Sequence, residues 1–324
     1  MSTDFYTWPS AFPFRLYLNR PECRIFIIET ISHNYNWFKE INDKIKETDY
    51  FFVIMGWNFN DTLATAGKKM IEELRLDINN FFLMHNSLDE MARALEYGFR
   101  GDFINHNAWL DEDKFKILDC PKKYDALYVA RRIAVKRHYL ASGIKNLALA
   151  AGGWVNKNEK VELPICKNDP NKYYNRTEIV KLINESSCGL CLSEVEGACF
   201  SSSEYLLCGV PVVSTPSKGG RDIWYNINNS ILTEPKIESV SKAVELIKQK
   251  QFCPQTIREE HIKKMSLFRG KFVQELAYVF DKYGIKDECP MNYFKNNFFE
   301  KMRKDAGGDI NNIINLFKYD NLSI

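Results

Sequence analysis

Apolar runs alternate with longer amphipathic stretches along most of the chain. In the first third, the apolar runs predict strands at 24–30, 50–55, 81–84 and 102–105. Stretches with apolar residues three and four positions apart predict the intervening helices, at 34–47, 61–76 and 87–97. Strands separated by helices indicate crossover connections, and therefore a parallel sheet.

A second block repeats this alternation. Its predicted strands lie at 125–130, 146–152, 188–193, 211–215 and 230–234. Its predicted helices lie at 132–142, 176–186, 201–208, 237–249 and 256–282. The pattern predicts an α/β chain of two doubly wound, Rossmann-like domains that face a cleft, with ligands at the carboxyl ends of the strands. The expected bounds are 1–118, 119–284 and a helical tail, 285–324, that packs back on the first domain.

Composition limits the classes of protein that fit. The 324 residues are 45% hydrophobic and 27% charged, which excludes a disordered chain and a small disulfide-stapled scaffold. Lys and Arg number 44 against 42 Asp and Glu, and the net charge of +2 argues against a nucleic-acid partner. The start of the chain lacks the apolar core of a signal peptide, and the nine cysteines follow no framework. We therefore expect a cytoplasmic protein, whose aromatic and basic tail leaves peripheral membrane contact open.

The segment 193–215 carries the strongest chemical pattern. A buried strand ends in a loop with Glu196 and Gly197, and a helix follows that begins with Ser201, Ser202 and Ser203. Free N–H groups and the positive end of the dipole at a helix start suit a phosphate, and glycine lets the backbone approach a ligand closely. A carboxylate is a good acceptor for paired sugar hydroxyls. The alternative is that Ser and Glu are there only because they favour a first helical turn.

Basic residues follow the first strand of the second block. Arg131, Arg132, Lys136 and Arg137 crowd the predicted start of a helix, where cations oppose the dipole. An anionic ligand such as a diphosphate would offset that cost. The alternative is an ordinary solvated basic face.

Taken together, these residues resemble a retaining glycosyltransferase of the GT-B fold, of the family 4 type. Glu196 and Glu204 stand at the spacing of that family's paired-glutamate motif, and Arg131 and Lys136 are five apart, as in its strand-end basic motif. The segment GGRDIW, 219–224, stands where such enzymes have a Gly-Gly loop. The resemblance extends over about residues 100–283. The chain departs from the family pattern where Ala198 and Cys199 replace the commoner aromatic–glycine pair.

The resemblance implies a role for each matching residue. Arg131 and Lys136 would neutralise the diphosphate of a nucleotide-sugar, Glu204 would hold the ribose, and Glu196 would contact the transferred sugar. The remaining expected donor contacts are Gly197, Ala198, Cys199, Phe200, Ser201 and Ser202, with Tyr174 near the base. A packed core or surface tyrosine is the alternative for Tyr174.

The implied activity is transfer of a hexose-type sugar from a nucleotide-diphosphate sugar, of UDP or GDP type, to a glycan, lipid-linked or other hydroxyl acceptor. The resemblance implies retention of anomeric configuration, and we expect no cofactor and no metal. In the first domain, His85, His106 and Asn107 are candidates for contacts in the cleft, with a structural, hydrogen-bonded role as the alternative. An epimerase or phosphorylase of the same fold, or a catalytically silent sugar-nucleotide-binding subunit, remain open as alternative functions.

Overall fold

A computed structural model describes residues 15–56, 58–152 and 159–302. They form ten strands, β1 to β10: Arg15–Asn19, Arg24–Glu29, Asp49–Ile54, Phe81–His85, Arg100–Phe103, Ala126–Val129, Leu147–Ala150, Gly189–Cys191, Val212–Ser214 and Ser230–Leu232. They also form eight α-helices, α1 to α8: Tyr35–Glu40, Asp61–Glu73, Leu88–Glu96, Arg176–Asn184, Phe200–Leu207, Ile237–Gln249, Pro254–Lys282 and Pro290–Asn296.

The chain divides into two compact units. One combines the residues up to 109 with those from 267 onward, and the other is residues 110–266. Helix α7 therefore contributes residues to both units. The domain bounds expected from the alternation of elements, at 118 and 284, stay a prediction. Residues 303–324 of the expected tail lie outside the described part of the chain.

The first unit is built on one five-stranded sheet in the order β1-β2-β3-β4-β5. Strand β1 is antiparallel to β2, and the other neighbours are parallel. Because the parallel strands follow chain order and crossovers are right-handed, helices α1, α2 and α3 belong on one face of the sheet. The core agrees, since Phe26, Phe51 and Phe81 pack in one cluster with Phe38 of α1 and Met70 of α2.

The opposite face of this sheet packs against the end of the chain. Phe272, in the second half of α7, has its ring 4.6 Å from that of Phe52 and 5.8 Å from that of Tyr17. In α8, the Tyr293 hydroxyl donates to the Tyr17 carbonyl oxygen at 2.6 Å. Every residue of β2, β3 and β4 is buried, as is typical of continuous apolar strands in a sheet covered on both faces.

The second unit holds a parallel sheet in the order β10-β9-β8-β6-β7. The chain forms β6 and β7, and then crosses to the other side of β6 to form β8. This reversal is a topological switch point between β6 and β8. Val213 of β9 belongs to one core cluster with Leu190 of β8, Tyr128 of β6, and Val240 and Val244 of α6. The expected α/β fold with parallel, Rossmann-like sheets is confirmed.

Within the described part of the chain, each helix is either too short or too polar to cross a membrane.

Candidate functional site

The switch point of the second sheet collects the residues with chemistry. Strand β6 ends before Arg131 and Lys136, and the neighbouring strand β8 ends before Glu196. Carboxyl ends of neighbouring parallel strands open on the same edge, so side chains 60 positions apart in the sequence can meet there.

Lys136 and Glu196 form a buried ion pair at this edge. The Lys136 ammonium donates to Glu196 Oε1, and the two residues are only 8% and 4% exposed. The Ser193 hydroxyl donates to the same oxygen. Removing both charges from water is expensive unless further hydrogen bonds complete their shells, as the serine does here. The spacing arguments for Lys136 and Glu196 thus lead to two residues in direct contact.

The backbone between β6 and the ion pair differs from the sequence prediction. A helix over 132–142 is wrong, because the structure has 3-10 turns at Ala134–Lys136 and His138–Ala141, separated by Arg137 with φ 49°. Four cations at one helix start oppose the dipole. Tertiary bonds hold two of them instead: Arg132 Nε donates to the Val161 carbonyl at 2.6 Å, and Arg137 Nε to the Leu192 carbonyl at 2.6 Å.

Arg131 is exposed directly after β6. Its carbonyl oxygen lies 3.0 Å from Nε2 of His138, whose ring is buried. The backbone at this position is therefore fixed, while the side chain lies at the surface. Its expected contact with a diphosphate stays a prediction.

The Glu196 loop is held by the Gly-Gly segment after β9. The Glu196 N–H donates to the Lys218 carbonyl at 2.9 Å, and the Gly220 N–H donates to the Gly197 carbonyl at 3.1 Å. Gly219 has φ +105°, and a Cβ there would stand 1.8 Å from the Glu196 carbonyl oxygen. Glycine is required at this position for both reasons.

Helix α5 begins beside this loop, at Phe200. Its N-cap, Cys199, has φ 58°, the left-handed conformation that glycine favours, and its side chain makes no capping hydrogen bond. The Ser202 hydroxyl donates to the Tyr225 hydroxyl at 2.9 Å, and Ser202 is fully buried. Gly197 and Ala198 are buried, and Ser201 is half-buried. The roles of these residues toward a donor stay predictions.

Glu204 lies in a helix, whereas Tyr174 lies in the loop before α4. Glu204 lies in α5 and is 8% exposed. The Tyr174 hydroxyl donates to the Asp169 carbonyl at 2.8 Å and accepts from Asn168 Nδ2 at 2.8 Å, and the Lys172 ammonium lies 5.1 Å from the ring centre. These bonds tie Tyr174 into its own loop, which favours the structural alternative. Stacking of a base on Tyr174 stays a prediction.

The three candidates in the first unit are buried. His85, His106 and Asn107 have 0%, 2% and 0% exposure. His106 Nε2 lies 2.8 Å from the Met84 carbonyl oxygen, and the His106 N–H donates to Asn86 Oδ1 at 3.0 Å. Burial, and to a lesser extent the neighbouring His106, lowers the pKa of His85 to about 3. Such burial is typical of structural histidines, and contacts with a cleft stay a prediction.

Two residues of the site had no assigned role in the sequence analysis. In the sequence, Ser193 stands at the end of a predicted strand, and Arg221 lies in the segment GGRDIW without an inferred role. Arg221 is nevertheless completely buried, and its guanidinium donates to the Ser193 hydroxyl and carbonyl oxygens, both at 3.2 Å. The sequence shows an arginine between Gly-Gly and a Trp, but its hydrogen-bond partner follows only from the order of the strands.

Part of this unit matches a known family. Residues 171–264 match the family described as glycosyl transferases group 1. That segment contains both paired glutamates and the Gly-Gly loop, but covers less than a third of the chain. No curated protein matches the chain as a sequence.

Solved structures resemble a larger share of the chain. A sucrose-phosphate synthase from Thermosynechococcus elongatus superposes with a TM-score of 0.57 at 10% identity, over 78% of this chain and 74% of its own. A trehalose 6-phosphate synthase from Burkholderia multivorans gives 0.54 at 11% identity, over 83% and 73%. Anabaena HepE, solved in complex with UDP, gives 0.52 at 13% identity, over 71% and 72%. The fold of the chain is that of GT-B glycosyltransferases, and its paired-glutamate segment is similar to glycosyl transferases group 1.

Proposed function

We propose that this protein is a retaining glycosyltransferase, which moves a hexose-type sugar from a nucleotide-diphosphate sugar to a hydroxyl acceptor without a metal. The observation that carries the proposal is the buried Lys136–Glu196 pair at the switch point between β6 and β8. The group 1 match includes Glu196, and one protein of similar fold is solved in complex with UDP. A nucleoside diphosphate is therefore the donor part that we test first.

The reaction needs charge stabilisation more than it needs a nucleophile. The bond from the anomeric carbon to the diphosphate oxygen breaks, and its electron pair leaves with the diphosphate. The acceptor oxygen forms the new bond from the same face, and its proton passes to a leaving phosphate oxygen. The Lys136 ammonium, the Arg131 guanidinium and the first N–H groups of α5 would stabilise the negative charge that develops on those oxygens.

The Lys136–Glu196 contact also fixes the position of the Lys136 ammonium. The ammonium is already held by Glu196, so its position is fixed before a donor binds. A group that is held in place loses little entropy when the charge develops, and preorganised charge is the most effective kind. Glu196 in turn would accept a hydrogen bond from a hydroxyl of the transferred sugar. We therefore assign this carboxylate to the sugar part of the donor and not to the base.

The first test is thermal denaturation of the full chain with UDP, GDP, dTDP, ADP and CMP, each with and without EDTA. A ligand at 100 times its dissociation constant stabilises by about 2.7 kcal/mol, which is several degrees for a domain of this size. We expect one diphosphate to raise the melting temperature equally in EDTA, and expect Lys136→Gln to remove most of that rise. No rise with any nucleotide would contradict the proposal, and a rise that needs metal would contradict its metal-independent part.

Analysis of the reaction products separates the alternatives, which nucleotide binding alone does not. A silent sugar-nucleotide-binding subunit would bind the diphosphate but release none from a nucleotide-sugar. An epimerase or phosphorylase would convert its donor without an added acceptor alcohol. Product analysis after the binding panel therefore distinguishes the three functions.

A further inference from the structure

Arg221 is a fully buried cation with every group of its fork engaged. Its Nε donates to Asp222 Oδ1 at 3.0 Å, and Nη2 donates to the Thr215 carbonyl. Its Nη1 donates to both oxygens of Ser193 at 3.2 Å. A guanidinium can be buried only when its donors are bonded, and this one spans the ends of β8 and β9.

The bond from Arg221 sets the direction of the Ser193 hydroxyl. A guanidinium can only donate, so the hydroxyl oxygen must accept from it. The hydroxyl has a single hydrogen, and that hydrogen points to Glu196 Oε1. Arg221 therefore fixes the position of the Ser193 hydroxyl and also makes it a donor to Glu196.

Both donors to the Glu196 carboxylate converge on one oxygen. The Ser193 hydroxyl and the Lys136 ammonium both end on Oε1. Among the described residues, no hydrogen bond ends on Oε2 of this carboxylate. Two donors on one oxygen fix the plane of the carboxylate and direct its second oxygen, the one that would accept from a sugar hydroxyl.

We propose that Arg221, acting through Ser193, is a positioning residue that holds Glu196 for the sugar part of the donor. This inference rests on the proposed function. Neither residue is assigned a contact with substrate. Loss of the Ser193 hydroxyl should therefore weaken use of the nucleotide-sugar while leaving affinity for the free nucleoside diphosphate unchanged, because Lys136 keeps its bond to Glu196 Oε1 and only the sugar meets the carboxylate directly.

The test compares Ser193→Ala with a matched control. Ser214 is also a fully buried serine and ends the neighbouring strand β9, but its hydroxyl binds the carbonyl oxygens of Cys191 and Thr215, both at 3.3 Å. We expect Ser193→Ala to lower kcat/KM for the nucleotide-glucose roughly tenfold or more, the usual effect of removing a hydrogen bond to a charged group. We expect the dissociation constant for the matching diphosphate to stay within about twofold of wild type. Ser214→Ala should change neither quantity to that extent.

A double-mutant cycle shows whether Ser193 acts through Glu196. In a Glu196→Ala background, Ser193→Ala should cause no further loss of kcat/KM. Arg221→Lys keeps the charge but not the fork, and should show the same separation between diphosphate affinity and turnover. If Arg221→Lys does not fold, Ser193→Ala and its cycle with Glu196→Ala decide the matter alone.

The outcomes separate this inference from the proposed function. Equal loss of diphosphate affinity and turnover in Ser193→Ala, or an equal loss in both backgrounds, would overturn the positioning role. Wild-type activity with an unaffected Ser193→Ala variant would also overturn it and leave the proposed function intact. A wild-type chain that turns over none of UDP-, GDP-, dTDP- or ADP-glucose would overturn the function, and the inference with it.

Discussion

The imidazole of His85 shows how far burial can oppose ionisation at a single residue. The side chain is 0% exposed in the first unit, and its ring lies 5.5 Å from that of Phe59. Neither ring nitrogen has a hydrogen-bond partner among the described residues. Burial, followed by the charge of His106, lowers its pKa to about 3. On acidification, the His85 imidazole therefore binds a proton near pH 6.5 in the unfolded chain, but only at a much lower pH in the folded chain.

We predict that stability falls as the pH falls below about 6.5, because the unfolded state then binds the proton that the folded state refuses. The stability that neutral, buried His85 contributes is fully present above that pH. Between pH 6.5 and 5.5, the single group costs about 1 kcal/mol of unfolding free energy. Denaturant titrations at pH 7.5, 6.5 and 5.5 measure the slope.

His85→Phe keeps a ring of similar size and removes the titration. We expect it to flatten the decline by about 1 kcal/mol per pH unit in this range. Burial also lowers the pKa of His33 and of His138, so part of the wild-type slope remains in the variant. A variant slope equal to that of the wild type would show that His85 does not contribute.

Single residues of the candidate site were predictable where they match a motif of the family that the sequence resembles. Lys136 and Glu196 follow strand ends and were both assigned from the sequence, and the structure places them in one ion pair. Ser193 and Arg221 were not, since a serine at a strand end and an arginine in a loop are common. Their partnership depends on β8 lying beside β9, which no local pattern records.

At the scale of elements, the loop after β8 and the loop after β9 support one another. Lys218 donates its N–H to the Glu194 carbonyl at 2.9 Å and accepts from Glu196, and Gly219 lies directly against the Glu196 carbonyl. The close approach of two backbones fixes the loop that presents Glu196. The expected Gly-Gly loop is thus part of the support for the site.

We predict that Gly219→Ala destabilises the protein by about 3 kcal/mol, because a Cβ would meet backbone at 1.8 Å in a strained φ of +105°. Gly98→Ala is the control, since Gly98 also has a positive φ, +83°, but has nothing within 4 Å of the added atom. That variant should lose only about 1 kcal/mol, the cost of the left-handed conformation. Equal losses in denaturant titrations would contradict the proposed crowding at Gly219.

Helix α7 also holds neighbouring segments of the second unit. Arg258 donates to the carbonyl oxygens of Glu112, at 2.7 Å, and of Phe115 and Leu207, at 2.5 Å each. Leu207 is the last residue of α5, so this guanidinium meets the negative end of that helix. One side chain therefore connects three segments that are far apart in sequence.

We predict that Arg258→Ala lowers the unfolding free energy by about 3 kcal/mol, because three carbonyl oxygens lose a charged donor. Arg93→Ala is the control, since Arg93 pairs with Asp61 at an exposed site, with side chains 39% and 64% accessible. Exposed pairs contribute roughly 0–1 kcal/mol, so the control should change stability little. A loss in Arg258→Ala no larger than in Arg93→Ala would show that these bonds are not stabilising.

Across the whole molecule, the alternation of apolar and amphipathic stretches was sufficient to predict nine of the ten described strands. Strand β1 was missed, because it pairs antiparallel at a sheet edge, outside the alternation. Its Arg15 is buried and donates to the Asn297 carbonyl at 2.6 Å, a contact over 282 positions. The helix expected at 132–142 failed for a related reason, since its arginines bond to distant carbonyl oxygens rather than to solvent.

The central claim is that the Lys136–Glu196 site cleaves a nucleotide-sugar without a metal. The most direct measurement is release of nucleoside diphosphate from UDP-, GDP-, dTDP- and ADP-glucose in EDTA, with water or an added alcohol as acceptor. Lys136→Gln is compared with Lys123→Gln, whose lysine is 53% exposed and pairs with the buried carboxylate of Glu185. We predict release from one donor, unchanged by EDTA, retained in Lys123→Gln and reduced at least a hundredfold in a folded Lys136→Gln variant. Release that persists in Lys136→Gln, or that requires a metal, would contradict the account.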